Sequence, residues 1–376
     1  MLFGTSFRQI PMLVPGVLLS AGLVAGAIYL CDWINSSWGF KGLLSYILVA
    51  IVIGILVRNT VGLPALFAPG VSFCLRKLLR FGIILMGIRL SIMNVVEIGG
   101  YGIPIVVACI LAGLLIATYA TRLLRLPERL GTLIAIGTGI CGASAIVATA
   151  PGIRARDEEV AYAVANITIF GIAAMFLYPY MGHLIFGGDI TMVGLFMGTS
   201  IHETAQVAGA GLMYDQSFDV IANPSGADVA MVTKLVRNAM MVVAIPAITY
   251  VYARRMRASG EASAGHRIGF LQLVPLFIFG FLLMAGLRSI GDASLQTGHE
   301  AFGLWSEDGW RSVTSAIRTW SSYILATAMA GVGLGTSLRA IRGLGPKPFL
   351  VGILAATSVG AVSIVLILLL GPLVGA

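Results

Sequence analysis

Two stretches of the sequence that are rich in small residues decide how the chain is expected to fold. Gly137-Thr138-Gly139-Ile140-Cys141-Gly142-Ala143-Ser144-Ala145-Ile146-Val147-Ala148 lines up with Gly198-Thr199-Ser200-Ile201-His202-Glu203-Thr204-Ala205-Gln206-Val207-Ala208-Gly209. Each stretch lies in an apolar segment, and the next helices begin alike, at Val160-Ala161 and Val229-Ala230. Interrupted segments at corresponding positions of two repeats are the best sequence sign of a secondary transporter's midplane site. Chance recurrence is the alternative, because glycine-rich packing motifs are common in membrane helices.

The composition is that of a membrane protein. Of the 376 residues, 58% are hydrophobic and 11% are charged, whereas soluble domains carry about 25% charged residues. Helical runs of about 20 apolar residues cross the hydrocarbon core, and such runs recur from end to end. The first run, at 11–30, is longer than the apolar part of a signal peptide, so we expect it to be retained. The four cysteines form no CxxC pair and predict neither disulfides nor a zinc site.

The apolar runs predict an all-α polytopic membrane protein with about eleven membrane segments. They lie at about 11–30, 42–57, 81–98, 99–121, 130–153, 160–182, 190–213, 229–252, 268–287, 313–338 and 348–374. We expect a single transporter domain over 1–376, with a first repeat at about 42–182, a second at about 190–376 and an extra N-terminal helix at 11–30. A weaker match between 86–91 and 331–338 indicates that the repeats are inverted.

The net charge of +8 sets the orientation, because cytoplasmic loops are rich in Lys and Arg. We expect a bacterial inner-membrane protein with a cytoplasmic N-terminus and a periplasmic C-terminus. Arg154 and Arg156 lie in the cytoplasm only if the segment 130–153 is re-entrant. The segment 190–213 must then also be re-entrant, entering from the periplasmic side, so that the later loops keep their expected sides. Two crossing but interrupted helices are the alternative. The stretches expected in the cytoplasm are Arg8, 58–80, 122–129, 254–267 and 339–347.

Deep charges carry the chemistry, because a charge at the bilayer centre is costly and usually functional. Three cations, Arg89, Lys234 and Arg237, lie in apolar segments, against one deep acid, Glu203. The surplus favours an anionic substrate, and Asn238 shares the helix face of Lys234 and Arg237. As alternatives, one cation could only neutralise Glu203, and Arg89 could reach the membrane interface.

The two motifs supply the other half of a predicted anion site. Short helices that start after Gly142 or Glu203 would aim free N–H groups and a positive dipole end at an anion. His202 and Glu203 are candidates for ion coupling. Each polar residue could instead only cap a broken helix. The further candidate substrate-binding residues are Thr138, Gly139, Cys141, Ser144, Thr199, Ser200, Thr204 and Gln206.

Several other classes of protein are disfavoured. The stretch from His202 to Gln206 lacks the second histidine of the zinc-protease signature H-E-x-x-H, so we expect neither a metal nor an enzyme. No GxxxxGK[ST] loop is present to make an ATP-driven pump.

GTGICGASA at 137–145, GTSIHETAQV at 198–207 and KLVR at 234–237 closely resemble motifs of the YeiH-like family of bacterial sulfate exporters. The resemblance covers essentially the whole chain and implies a transporter more firmly than a substrate. Gly139 departs from the serine expected there, which puts ligand binding at that position in doubt. A looser likeness to the bile acid:sodium symporter group implies a core domain that moves against a scaffold domain, by analogy alone.

These features together predict a secondary active transporter of a small anion, with sulfate or an organosulfonate as the first guess. The alternatives are a cation/proton antiporter that uses Glu203 and His202, and an anion channel; a receptor or enzyme is a weaker rival. The expected partners are the anion, a coupling proton or Na⁺ and the lipid bilayer, with a homodimer as an option. We expect no cofactor and no nucleic acid.

Overall fold

The computed structural model describes residues 10–38, 45–258, 275–298, 300–337 and 346–370, and every regular element within these ranges is a helix. This confirms the predicted all-α class. A π-helix at Cys74–Leu78 and a 3₁₀-helix at Gly87–Arg89 flank α4. The α-helices are α1 Ile10–Trp38, α2 Tyr46–Thr60, α3 Ala68–Phe73, α4 Leu79–Met86, α5 Ile92–Leu123, α6 Glu128–Gly139, α7 Ala143–Thr149, α8 Asp157–Ile185, α9 Ile190–Ser200, α10 Thr204–Ser217, α11 Gly226–Ala239, α12 Met241–Ala258, α13 Phe277–Gly298, α14 Glu307–Gly335 and α15 Pro346–Leu370.

Six stretches among the described residues are long and apolar enough to cross a membrane. They fall in α1, α5, α8, α13 and α15, and in the run Gly226–Tyr252 that α11 and α12 form together. The shorter apolar helices α2 and α9 add to this set. A multi-pass membrane protein is therefore confirmed, while a count of eleven segments stays a prediction.

The predicted boundary between 81–98 and 99–121 is wrong, because α5 is one helix of 32 residues across it. The helical path breaks earlier, at Leu90 and Ser91. Ser91 and Asn94 fix this break by capping each other: the Ser91 backbone N–H donates to Asn94 Oδ1 at 3.1 Å, and the Asn94 N–H donates to Ser91 Oγ at 3.1 Å. Reciprocal caps of this kind satisfy N–H groups at a helix start.

Two other segment boundaries shift. Helical structure begins at Ala68, inside the stretch 58–80 that we expected to be a loop. The segment predicted at 268–287 lies partly outside the described residues, and the helix in that region runs over Phe277–Gly298.

The chain divides into two compact units. Unit 1 comprises Met1–Glu97, Ala208–Asp228 and Leu276–Arg339, and unit 2 comprises Ile98–Val207, Val229–Pro275 and Ala340–Ala376. Each unit is therefore assembled from three separate stretches of chain.

Unit 1 is held by close backbone contact between helices. A Cβ at Gly333 in α14 would lie 2.4 Å from the Ile51 carbonyl oxygen in α2, and a Cβ at Gly54 would lie 2.9 Å from the Leu334 nitrogen. Small residues permit this approach, which drives helix association where lipid removes the hydrophobic advantage. Larger residues at these two positions would separate α2 from α14.

Unit 2 contains a hairpin formed by α6 and α7. The start of α6 lies beside α12, because Arg129 Nε donates to the Tyr252 hydroxyl at 3.2 Å. The turn after α7 lies beside the same part of α12, since a Cβ at Gly152 would be 2.7 Å from Thr249 Cγ2. The chain therefore returns to the level at which α6 began, which is the geometry expected of a re-entrant segment.

Candidate functional site

The candidate site of unit 2 lies where two helices are interrupted. α6 ends at Gly139 and α7 begins at Ala143, while α9 ends at Ser200 and α10 begins at Thr204. The interruptions fall at matched positions of the two aligned motifs. Gly142 has φ +70°, a conformation that residues with a Cβ rarely adopt.

Lys234 of α11 joins the two interruptions. Its side chain is fully buried, and Nζ donates to the carbonyl oxygens of Ile140 at 3.1 Å, Ile201 at 2.9 Å and His202 at 2.5 Å. An ammonium group has three donors, so these carbonyls use all of its hydrogen-bonding capacity.

Arg237, one helical turn further along α11, makes a similar set of contacts. It is also fully buried; Nε donates to the Gly139 carbonyl at 2.8 Å, and Nη1 donates to the carbonyls of Thr199 at 2.6 Å and Ile201 at 3.1 Å. Nη2 donates to the Thr138 carbonyl. Both cations thus lie at the carboxyl ends of α6 and α9, where free carbonyls leave about half a negative charge per helix.

This geometry explains why two cations stay buried in an apolar protein. A buried charge is tolerated when its hydrogen bonds are satisfied and an opposite charge is near. Lys234 and Arg237 thus each contact the backbone of both motifs. Their donors point at backbone carbonyls, so direct contact of either side chain with a substrate stays a prediction.

Glu203 crosses from the second motif to the first. Its Oε1 accepts a hydrogen bond from the Ala143 N–H at 3.3 Å, at the start of α7. A Cβ at Gly142 would lie 2.4 Å from Glu203 Cγ, so Gly142 makes room for this side chain. Gln206 supports the arrangement, because its Oε1 accepts from the Glu203 N–H at 3.1 Å.

Unpaired polar atoms surround the interruptions. Asn238 Nδ2 donates to Thr204 Oγ1 at 3.0 Å, at the start of α10. Four buried atoms have no hydrogen-bond partner among the described residues: Thr138 Oγ1, Ser200 Oγ, His202 Nε2 and Asn238 Oδ1. Each of these side chains is at least 98% buried. Buried polar groups are normally paired, so this cluster marks where a ligand or water would complete the structure.

The other predicted residues of the motifs have different environments. Thr199 Oγ1 lies 2.6 Å from Ser363 Oγ of α15, and Cys141 is buried as a free thiol. Gln206 Nε2 also donates to the Thr168 carbonyl at 3.4 Å. Ser144 is exposed at the start of α7. The structure thus brings most of the predicted residues together but leaves Ser144 on a surface.

Arg89 belongs to unit 1 and pairs with a different acid. Its Nη1 lies 3.8 Å from Asp228 Oδ1, and its Nη2 donates to Ser322 Oγ at 2.7 Å. It is 8% exposed. Arg89 therefore pairs with an acid at the start of α11, while its reach to the membrane interface and a role in substrate binding both stay predictions.

Two polar side chains of unit 2 were not singled out from the sequence. Ser363 contacts Thr199, as described above, and Asn166 of α8 donates from Nδ2 to the Pro348 carbonyl at 2.7 Å. Asn166 Oδ1 is buried without a partner among the described residues. The available signal was the isolated polar residue within an apolar helix, which in membranes commonly hydrogen-bonds another helix.

A cavity of about 620 Å³ opens in unit 2 between α5, α6 and α12. Polar side chains at its walls include Thr121, Arg122 and Thr132, and it reaches Ala135 of α6. Ala135 lies four residues, or about 6 Å along the helix, before α6 ends at Gly139. The cavity therefore leads from the basic loop after α5 towards the first interruption.

Comparisons with known proteins place the sequence among bacterial membrane proteins. The family model described as conserved hypothetical protein 698 matches residues 15–352. A UPF0324 membrane protein of Pseudomonas aeruginosa is 36% identical over 92% of this chain and 91% of its own length. A UPF0324 membrane protein of Bacillus cereus is 32% identical over 88% of this chain and 89% of its own length. One of Agrobacterium fabrum is 31% identical over 98% of this chain and 96% of its own length. These matches confirm the family resemblance seen in the motifs.

Proposed function

The chain belongs to the conserved hypothetical protein 698 family of membrane proteins, and from this premise we propose that it is a secondary active transporter of a small anion. Sulfate or an organosulfonate is the first substrate to test, with a proton or Na⁺ as the coupling ion. We place the protein in the bacterial inner membrane with the N-terminus in the cytoplasm and the C-terminus in the periplasm.

The observation that carries this proposal is the meeting of two interrupted helices at Lys234 and Arg237. Non-helical backbone at membrane depth is tolerated only where it is buried in protein or lines a cavity. Secondary transporters build their substrate sites from such discontinuous helices at a repeat interface. The inverted repeat and its core and scaffold domains are part of the proposal.

The balance of charge supports an anion. Lys234 and Arg237 contribute two positive charges, and Glu203 contributes one negative charge. The carboxyl ends of α6 and α9 add about −0.5 each, and the amino ends of α7 and α10 add about +0.5 each. The sum is about +1. Glu203 contacts the amino end of α7 but not that of α10. An anion at the amino end of α10 would accept hydrogen bonds from the N–H groups of its first turn, beside His202 and Asn238.

The cation/proton antiporter is the second candidate, and Glu203 is the observation that favours it. A carboxylate at a helix interruption is a suitable ligand for a proton or Na⁺. In that case Na⁺ would bind beside Glu203, and an added anion would leave the protein unaffected.

Ligand-dependent stability of the purified protein separates these candidates, because a ligand that binds the folded state raises the thermal midpoint. We expect sulfate or a sulfonate, at constant ionic strength and constant Na⁺, to raise the midpoint of the wild type. Asn238→Asp adds a negative charge beside the start of α10 and should remove the rise in thermal midpoint that the anion causes. The matched control Asn223→Asp alters an exposed loop residue and should still show this rise. Stabilisation by Na⁺ alone, with no response to any anion, would favour the antiporter.

A further inference from the structure

The turn that starts α11 gathers two carboxylates in unit 1, outside the candidate anion site. Ser225 and Asp228 cap each other: the Ser225 N–H and hydroxyl donate to Asp228 Oδ2 at 3.1 and 3.0 Å. The Ala227 N–H, in the same turn, donates to the Asp215 carboxylate at 3.2 and 3.3 Å to its two oxygens. Asp215 comes from α10, so the two acids belong to different helices and face one turn.

One cation directly faces these acids among the described residues. Arg89 Nη1 is 3.8 Å from Asp228 Oδ1, which is beyond hydrogen-bonding distance. Arg89 Nε and Asp228 Oδ1 are both buried and have no hydrogen-bond partner in the described part of the chain. Arg318 of α14 lies within electrostatic reach of Arg89 and Asp228 but is exposed. Tyr46 of α2 is the further titratable group near Arg89.

The charges do not balance when both acids are ionised. Two carboxylates contribute −2, Arg89, which lies within ion-pair distance of Asp228, contributes +1, and the amino end of α11 adds about +0.5. Arg318 is left out of this sum because it is exposed and its charge is screened by solvent. A proton on one of the two acids relieves the repulsion between them. Asp215 is the acid better suited to carry the proton, because it is partly exposed whereas Asp228 is buried.

Asp215 also has the access and affinity that a proton carrier needs. Its side chain is partly exposed, so water can deliver a proton to it. Asp215 follows the predicted membrane segment 190–213. Partial burial of the side chain removes part of the water around the carboxyl, and this desolvation, with Asp228 beside it, raises the pKa of Asp215 to about 7. Arg89 and the Ser225 and Ala227 donors act in the opposite direction without cancelling this effect.

We propose that Asp215 and Asp228 form a proton-binding pair, which holds one proton on the acidic side of neutrality and releases it on the alkaline side. Asp215 lies on α10, which begins at Thr204, and Asp228 lies on α11, which carries Lys234 and Arg237. The pair is thus attached to both helices that hold the candidate anion site. This assignment moves the coupling proton from Glu203 and His202 to unit 1, but proton binding by the pair does not depend on the identity of the substrate.

Infrared titration of the purified full-length protein tests the pair directly. We expect the carboxylic acid C=O band to lose intensity with a midpoint near pH 7 in the wild type. Asp215→Asn should abolish this transition, whereas the matched control Asp219→Asn, an exposed acid in the following turn, should retain it. A transition that persists unchanged in Asp215→Asn would overturn the proposal.

The pH dependence of thermal stability separates the loss of a proton-binding group from a structural effect of the Asp215→Asn substitution. Because the folded-state pKa of Asp215 lies above its unfolded value of about 3.9, ionisation costs the folded state stability as pH rises between these values. The thermal midpoint of Asp215→Asn should therefore rise relative to the wild type from pH 5 to pH 7.5. A midpoint difference that does not change with pH would show that Asp215 binds no proton in this range.

Discussion

Replacing Lys234 by Met tests the role of the buried cation where the two interruptions meet. Lys234 donates to three carbonyls, and Arg237 also reaches one of them, that of Ile201. The carbonyls of Ile140 and His202 would lose this donor. A buried group left unsatisfied costs about 1–3 kcal/mol, which gives about 2–6 kcal/mol for two. Removal of a buried charge offsets part of this cost, so we expect about 2–4 kcal/mol.

The measurement is the thermal midpoint of the detergent-purified variant, followed by tryptophan fluorescence, with size-exclusion chromatography to confirm a monodisperse protein. A loss of about 2–4 kcal/mol should lower the midpoint of this 376-residue chain by about 2.5–5 °C, because the unfolding entropy is about 2.1 cal/mol/K per residue. Lys77→Met is the matched control: Lys77 lies in the π-helix of unit 1 and is only half-buried. Equal midpoints for Lys234→Met and the wild type would refute the view that Lys234 holds the interrupted helices together.

Two further predictions concern the first hairpin. Gly142→Ala should inactivate the protein and lower its thermal midpoint, because the added Cβ would clash with Glu203 and the positive φ is strained. The control Gly26→Ala should behave as wild type, because a Cβ there meets nothing within 4 Å. Equal thermal midpoints for the two variants would contradict this prediction. Single cysteines at 154–158 should react with an impermeant maleimide from the cytoplasm, and one at Gly187 from the periplasm; periplasmic labelling at 154–158 would exclude a re-entrant hairpin.

The sequence was sufficient to predict the interrupted helices but not the partners of the buried cations. Repeated glycines and the position of Arg154 indicated a chain that enters and returns. Lys234 and Arg237 contact both motifs, but their hydrogen-bond acceptors there are backbone carbonyls. Backbone acceptors leave no mark in the amino-acid sequence, because every residue has a carbonyl and only the fold decides which are free.

Arg89 shows a second limit of sequence reasoning. Its depth in an apolar run suggested that it belonged with Lys234 and Arg237, but it contacts Asp228 within unit 1. Depth along a helix gives the level of a side chain in the membrane and says nothing about which helix lies opposite. The boundary predicted at 98/99 is misplaced because a continuous apolar run does not show where a helix begins. The capping pair Ser91 and Asn94 marks the start of α5.

Flux of radiolabelled sulfate and sulfonates into proteoliposomes, with imposed H⁺ or Na⁺ gradients, tests the central claim most directly. The proposal predicts uptake of at least one of these labelled anions, and unlabelled anion inside the proteoliposomes should accelerate this uptake. Asn238→Asp should abolish the uptake, whereas Asn223→Asp should leave it unchanged. It also predicts that a proton gradient drives the flux. Proteoliposomes that exchange Na⁺ for H⁺ but move no anion would contradict the proposal and assign the interrupted helices to a cation/proton antiporter.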